Sequence, residues 1–161
     1  HFRSRFLSNQ TKVNLYKVTI RPVLTYGSEA WAITKADENR LLVFERNILR
    51  RIYGPIRQGD RWMRRKNRDL YGLYKDADIM RTLKIGRLRW AGHVSRMHER
   101  EIPRKMFEGE LYGTRRVGRP KVRWLDSVAA DARTLLGTRN WKNAAQDRTN
   151  WPRLLEEALI R

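Results

Sequence analysis

The chain contains no cysteine, and its 17 aspartates and glutamates are outnumbered by 36 lysines and arginines. The absence of cysteine excludes disulfides, iron–sulfur clusters and zinc knuckles, and it is typical of a reducing compartment. His93 and His98 have no third ligand near them in the sequence, so we expect no zinc site. The chain also lacks a signal peptide and an apolar run that could span a bilayer, which predicts a nuclear or cytoplasmic protein. It begins at His1 rather than at a methionine, which favours a piece of a longer product.

The excess of positive charge is the strongest signal in the composition. The formal net charge is +19 and the isoelectric point is about 11.2, which predicts a polyanionic partner such as nucleic acid. A membrane surface is disfavoured because the mean hydropathy is only −0.76. Residues 54–100 carry 13 basic and 5 acidic side chains, whereas residues 126–161 carry 6 and 5. We therefore expect the middle of the chain to bind the partner and the last segment to act as scaffold.

The spacing of apolar residues predicts a mostly α-helical fold with at most one short strand or hairpin, at Met106–Gly113. The best-defined helix is capped by Thr34 and stopped by Gly54. From these patterns we predict helices over residues 1–54, a basic connector over 55–75 and a helical tail over 76–161. The tail contains a basic loop at 113–121.

Two predicted helices carry unusual residues. Glu45 projects from the middle of an apolar stripe, so we predict that it is buried and paired with an arginine from another helix. In the helix after Asp76, Trp90 falls on the apolar stripe, which predicts a core position. Gly86 lies on the same side, where another helix could approach closely.

The candidate nucleic-acid-binding residues are basic side chains of the connector and of the basic loop. We predict phosphate contacts that do not read sequence from Arg64, Arg65, Lys66, Arg115, Arg116, Arg119, Lys121 and Arg123. Trp62 lies in the connector away from any periodic stripe, and it is the tryptophan that we expect to stack on a base. The other tryptophans are better explained as anchors that bury apolar surface.

The run Gly118-Arg119-Pro120-Lys121 resembles the centre of an AT-hook, in which arginines follow the minor groove of A/T-rich DNA. Val117 replaces the arginine that normally precedes the glycine, which places an apolar side chain in a narrow groove. The competing interpretation is a turn at Gly118 followed by a helix that Pro120 starts, with arginines that contact any phosphate backbone. The sequence leaves both interpretations open.

Four blocks of sequence together resemble the segment that follows the palm in non-long-terminal-repeat, LINE-like retrotransposon reverse transcriptases. They are RPVLTYGSEAW at 21–31, FERNILRRIYG at 44–54, GRLRWAGHVSRM at 86–97 and GRPKVRWLDSV at 118–128. The resemblance covers nearly the whole chain. It implies that residues 1–54 form a helical thumb and that the rest is the tail beyond it.

The resemblance also implies that the parent protein is an RNA-directed DNA polymerase that uses Mg²⁺. The palm and fingers of that polymerase would be the partners of this segment. The adjacent Asp-Asp pair with which reverse transcriptases hold metal ions is absent from this chain. We therefore expect no catalytic residue, no metal site and no cofactor here, and a role in holding the template–primer or the target nucleic acid.

Two alternatives remain open at this stage. The first is a free-standing DNA- or RNA-binding protein derived from a transposon, with minor-groove binding through the AT-hook-like run as one form of it. The second is a non-functional element remnant that binds polyanions through charge alone. A palm encoded upstream in the same reading frame would argue against both.

Overall fold

The computed structural model describes residues 2, 4–109, 118 and 123–160. Within these ranges the chain is mostly helical and contains one two-stranded antiparallel hairpin. The predicted mostly α-helical class is therefore confirmed. The predicted basic loop at 113–121 lies outside the described residues except for Gly118.

The chain divides into two compact units. The first contains residues 1–26 and 34–82, and the second contains residues 27–33 and 83–161. The division at 54 and 75 that the sequence predicts stays a prediction. In the first unit Leu70 and Tyr74, from the end of the predicted connector, share one buried cluster with Leu49. The short segment 27–33 belongs to the second unit, where the indole nitrogen of Trp124 donates to the carbonyl oxygen of Glu29 at 2.7 Å.

The first unit is built from helices around the buried cluster of Val13, Tyr16, Ile48, Leu49, Ile52, Leu70 and Tyr74. Its elements are α1 (Asn9–Leu15), a π-helical turn (Tyr16–Ile20), α2 (Arg21–Thr25), α3 (Lys35–Tyr53), β1 (Ile56–Gln58), β2 (Arg61–Met63), α4 (Asn67–Tyr74) and the start of α5 (Ile79–Ser95).

The first helical segment widens before Pro22 instead of breaking there. The backbone N–H of Arg21 bonds to the carbonyl oxygen of Tyr16, which is a π-type bond across five residues. Pro22 has no N–H to donate, so a local change in helix pitch accommodates it without a break. Gly27 then ends the segment with φ +67°, a left-handed conformation that favours glycine.

The predicted boundaries of α3 are confirmed, because both of its ends carry specific signals. Thr34 accepts from the backbone N–H of Asp37, and the Asp37 carboxylate accepts from the backbone N–H of Thr34, which forms a capping box. At the other end Gly54 has φ +68° and donates its N–H to the carbonyl oxygen of Arg50 at 3.0 Å. The rigid helix between them positions one wall of the candidate site described below.

Glu45 lies in the middle of α3 and is fully buried. Its donors are the hydroxyls of Tyr16 at 3.0 Å and Tyr71 at 3.2 Å, and the backbone N–H of Ile79 at 3.1 Å. The arginine that the sequence predicts as the partner is therefore replaced by two tyrosines and an amide. Phenol hydroxyls suit this position because they bring a donor into the core on an apolar ring. Burial raises the pKa of Tyr16 and Tyr71, which keeps both hydroxyls protonated as donors.

The burial of Glu45 predicts a specific pH dependence of stability. Burial raises the pKa of its carboxyl above the ordinary value of 4.5, and the bonds from Ile79 and Tyr16 oppose this shift only in part. The folded state therefore binds the proton more tightly than the unfolded state. The resulting stabilisation is fully present below pH 4.5 and is lost as the pH rises through the folded pKa.

We expect the wild type to lose stability relative to Glu45→Gln as the pH rises from about 4 towards 7. The unfolding free energy of the wild type minus that of the variant should therefore decrease over this range. Urea unfolding of both proteins over this range measures that difference, and the subtraction cancels the titration of all other groups. A difference that stays constant with pH would contradict the raised pKa.

The second unit has its own buried cluster, which includes Leu88, Ala91, Val94, Phe107, Val128, Trp141, Trp151 and Leu155. Its elements are a 3₁₀ turn (Ser28–Ala30), the remainder of α5, α6 (Ile102–Glu108), α7 (Trp124–Asp131), a π-helical turn (Ala132–Leu136), α8 (Trp141–Gln146) and α9 (Asn150–Ile160).

The predicted strand or hairpin at Met106–Gly113 is wrong in its described part. Met106 lies inside α6, which has a proline in its first turn and Gly109 as its C-cap. The Phe107 ring packs edge-on against Trp124 and Trp141, with centroids 5.9 Å away in both cases. A helical turn brings Phe107 into this aromatic cluster while Met106 remains exposed.

The close approach of two helices in the second unit involves Gly92 rather than Gly86. A methyl group added at Gly92 would lie 2.8 Å from Cδ1 of Trp151 and closer still to its indole nitrogen, whereas a methyl group at Gly86 would meet nothing within 4 Å. The predicted core position of Trp90 is also wrong, because 36% of that residue is exposed. Its ring lies beside His93, with the ring centroids 5.5 Å apart. The buried side of α5 in this unit is instead formed by Leu88, Ala91 and Val94.

Candidate nucleic-acid interface

An open groove of about 390 Å³ on the first unit brings five cationic side chains together. The residues that line it are Val43, Arg46, Arg50, Arg64, Arg65, Lys66 and Asn67. None of these lining residues is acidic. A concave surface with positive charge on its walls raises the local concentration of anions.

Two segments distant in sequence form the groove. Val43, Arg46 and Arg50 are spaced by three and four residues and therefore share one face of α3. The run Arg64–Asn67 links β2 to α4 on the other side. Lys66 is the N-cap of α4, so this helix begins at the groove, and it carries Asp69 in its first turn.

Hydrogen bonds fix the two walls to each other. An Nη atom of Arg50 donates to Oδ1 of Asn67 at 2.6 Å, which ties α3 to the first residue of α4. Nε of Arg65 donates to the carbonyl oxygen of Gly54 at 3.0 Å, which ties the end of α3 to the segment after β2. The groove is consequently formed before any ligand arrives.

The electrostatics of the groove favour an anion. Burial, and then the neighbouring charges of Arg64 and Arg46, lower the pKa of Arg50 below its ordinary value. Nε of Arg50 is buried and has no hydrogen-bond partner within the described ranges. Arg46, Arg64 and Lys66 form no hydrogen bond or ion pair through their side chains with any described residue. A phosphate group would supply the negative charge and the acceptor oxygens that these cations lack.

The structure brings together Arg64, Arg65 and Lys66, three of the residues predicted from the sequence to contact phosphates. Arg123 is exposed and is the N-cap of α7 in the second unit. Trp62 lies on β2 with 69% of its surface exposed. The predicted contacts Arg115, Arg116, Arg119 and Lys121, and with them the AT-hook-like run apart from Gly118, lie outside the described residues.

Sequence reasoning missed Arg46 and Arg50 as members of this site. Both lie on α3 away from its apolar stripe, where a charged side chain is usually a solvated surface residue. Their separation of four residues on one helical face is a weak sign of a basic stripe. What makes them part of a site is the return of the chain through the hairpin, which places Arg64–Asn67 opposite them.

Among the described residues, no three histidine or acidic side chains converge in a way that could hold a metal ion. No helix in the part of the chain that the structure describes is long and apolar enough to pass through a membrane.

Comparison with known proteins gives a transposon-derived relative. The chain is 31% identical over 145 residues to an uncharacterized transposon-derived protein from Caenorhabditis elegans. The match covers 87% of this chain and 52% of that protein, so the chain spans about half the length of the relative. No protein-family model and no solved structure matches the chain. The similarity supports a transposon-derived origin.

Proposed function

We propose that the chain is the nucleic-acid-binding C-terminal part of a retrotransposon reverse transcriptase, and that it holds nucleic acid through phosphate contacts. The observation that carries the proposal is the groove between α3 and the Arg64–Asn67 segment, where five cations converge without an acidic neighbour in the lining. The transposon-derived relative and the four sequence blocks that resemble post-palm reverse transcriptase sequence support the same assignment.

The charge pattern favours a nucleic-acid backbone over a small anion. A single phosphate would occupy only part of an open groove of about 390 Å³, and the net charge of +19 extends the attractive field well beyond it. A chain of phosphates can engage several of the cations at once. Each contact releases condensed counterions and adds to the affinity without reading the base sequence.

In this proposal residues 1–54 act as a thumb over the template–primer duplex, and the rest of the chain is the tail that follows the thumb in the sequence. The palm and fingers of the parent polymerase would supply the Mg²⁺-dependent chemistry. The present chain contributes binding and orientation of the template–primer or of the target nucleic acid. A-form geometry and backbone contacts, rather than base identity, would then determine what it holds.

The first test is equilibrium binding of the purified chain to single-stranded RNA, duplex DNA and an RNA–DNA hybrid of matched length over a series of salt concentrations. On duplex DNA the logarithm of the affinity should fall with the logarithm of salt concentration at about 0.9 per phosphate contact, so five or more contacts give a slope of about 4.5 or steeper. We expect the tightest binding to the hybrid, because that is the product of reverse transcription.

The control ligand is heparin, a polyanion without nucleic-acid geometry. Equal affinity for heparin and all three nucleic acids would contradict the proposal and support a remnant that binds through charge alone. Equal affinity for the three nucleic acids together with much weaker binding to heparin would favour a free-standing nucleic-acid-binding protein over a polymerase segment.

A further inference from the structure

The hairpin next to the groove carries large apolar side chains that the fold leaves exposed. β1 and β2 pair in the register Ile56 with Met63, Arg57 with Trp62 and Gln58 with Arg61, and all six residues are exposed. An isolated two-stranded ribbon of this length is marginally stable in water. Burial of side chains in the core therefore does not stabilise this hairpin.

The hairpin is anchored at its base and closed by a tight turn. The bond from Nε of Arg65 to the carbonyl oxygen of Gly54 joins the residues that flank the two strands. At the other end Gly59 takes φ +60°, and Nε of Arg57 donates to its carbonyl oxygen at 3.1 Å. The side chains on the ribbon are thus presented from a fixed backbone.

The two faces of the ribbon differ in character. Because side chains alternate along a strand, Arg57 and Trp62 share one face, and the other two cross-strand pairs share the opposite face. Trp62 is 69% exposed, although it is the largest apolar side chain of the hairpin. Arg57 beside it forms an ion pair with Asp60 at 3.5 Å, and Arg61 and Arg64, its neighbours in the chain, leave the surroundings with a net positive charge. An exposed indole ring among arginines is the arrangement that stacks on nucleobases in proteins that bind single strands.

We propose that Trp62 stacks on an unpaired base of the nucleic acid whose phosphates lie in the groove. The ligand class is then a nucleic acid with a single-stranded region, such as a free strand or the overhang at the end of a duplex. This inference rests on the proposed function and adds base contact to it. Trp62 and Arg64 are two residues apart, a separation of roughly 7 Å in an ideal extended chain, which equals about two steps of a stacked strand at 3.4 Å each.

An intact duplex does not offer the same contact. Its bases present their faces to each other, so a stacking side chain must first open the helix at a free-energy cost. The groove can bind the backbone of either form, because phosphates are exposed in both. Trp62 therefore contributes to the affinity for single-stranded ligands only, whereas the groove contributes to the affinity for single-stranded and double-stranded ligands alike.

The test compares the wild-type chain of residues 1–161 with Trp62→Ala and Trp62→Phe. The ligands are a mixed-sequence single-stranded DNA of about 20 nucleotides, which exceeds a typical site size, and the duplex of the same sequence. We expect Trp62→Ala to bind the single strand roughly 5- to 150-fold more weakly, which is the range for loss of one stacked base. Trp62→Phe should keep most of the affinity, and duplex binding should change little in both variants.

The salt dependence gives a second readout. Stacking involves no counterion release, so the salt slope of Trp62→Ala should equal that of the wild type even where its affinity is lower. Met63→Ala is the matched control, because it removes an exposed apolar side chain of the same strand from the opposite face. We expect it to bind like the wild type. Equal losses in Met63→Ala and Trp62→Ala would point to a disturbed hairpin and overturn the assignment.

Binding of an altered ligand tests the same inference without a protein variant. The wild type should bind a strand of abasic nucleotides more weakly than the normal strand, by about the factor lost in Trp62→Ala. Equal affinity for the two strands would overturn base stacking. Failure of the proposed function would give a different result from failure of base stacking. It would appear as a shallow salt slope for every nucleic acid.

Discussion

Replacing Arg46, Arg64 and Lys66 together by glutamine should weaken binding to duplex DNA by roughly 10- to 100-fold near physiological salt. It should also reduce the salt slope by about 2.7, which corresponds to three phosphate contacts at about 0.9 each. The three side chains lie on both sides of the groove. Their loss removes charge from the walls while Arg50 and Arg65, which hold the walls together, remain in place.

The folded state should tolerate this change. None of the three side chains makes a hydrogen bond or an ion pair with another described residue, so no buried partner loses its contact. Two of them also repel the partly buried Arg50, and this repulsion lowers its pKa. We therefore expect the unfolding free energy of the triple variant to equal or slightly exceed that of the wild type.

A matched control separates the site from the total charge. Arg139, Arg148 and Arg153 are exposed in the second unit, and their replacement by glutamine lowers the net charge by the same three units. This variant should lose much less affinity and keep the wild-type salt slope within about one contact. If both triple variants weakened binding equally, the groove would have no special role and the interaction would depend on overall charge.

Gly92→Ala should destabilise the second unit by about 1–3 kcal/mol, the usual range for an overpacked core. The added methyl group would collide with the indole ring of Trp151, which is 1% exposed and held in the core of that unit. The ring cannot move away without displacing the neighbours against which it packs. Chemical unfolding followed by near- and far-ultraviolet circular dichroism measures the loss.

Gly86→Ala is the control for this prediction, because it makes the same substitution six residues earlier in α5. A methyl group at Gly86 meets no atom within 4 Å. Alanine is the better helix former by about 0.8–1 kcal/mol, so this variant should be stabilised by roughly that amount. The two substitutions should thus shift stability in opposite directions. Stabilisation in both variants would show that helix propensity, and not the contact with Trp151, decides the outcome at Gly92.

The sequence predicts those parts of the fold that depend on local signals. The boundaries of α3 follow from the capping residue Thr34 and the terminating Gly54, both of which act within one helical turn. The position of Glu45 in an apolar stripe likewise indicates a buried location. The donors to Glu45 come from residues 26 to 34 positions away, so local pattern could not identify them.

In the candidate site, too, local sequence patterns do not identify residues that come together from distant parts of the chain. The density of charge in the connector predicts Arg64, Arg65 and Lys66, because it is visible along the chain. Arg46 and Arg50 join them only through the return of the backbone, which depends on the pairing of β1 with β2 and on the packing of α4 against α3. Gly86 and Gly92 make a parallel case, because both lie on α5 and only the position of Trp151 shows which of them is crowded.

The three donors to Glu45 also determine how small an independently folding piece of this chain can be. Tyr16 precedes Glu45 by 29 residues, whereas Tyr71 and Ile79 follow it by 26 and 34. A fragment that stops at Gly54 would keep the carboxylate and lose two of its donors, which leaves a poorly solvated charge in a half-formed core. The helices before Gly54 therefore cannot be excised as a self-sufficient module. Any expression fragment or chimaera built from the first unit has to continue past Ile79.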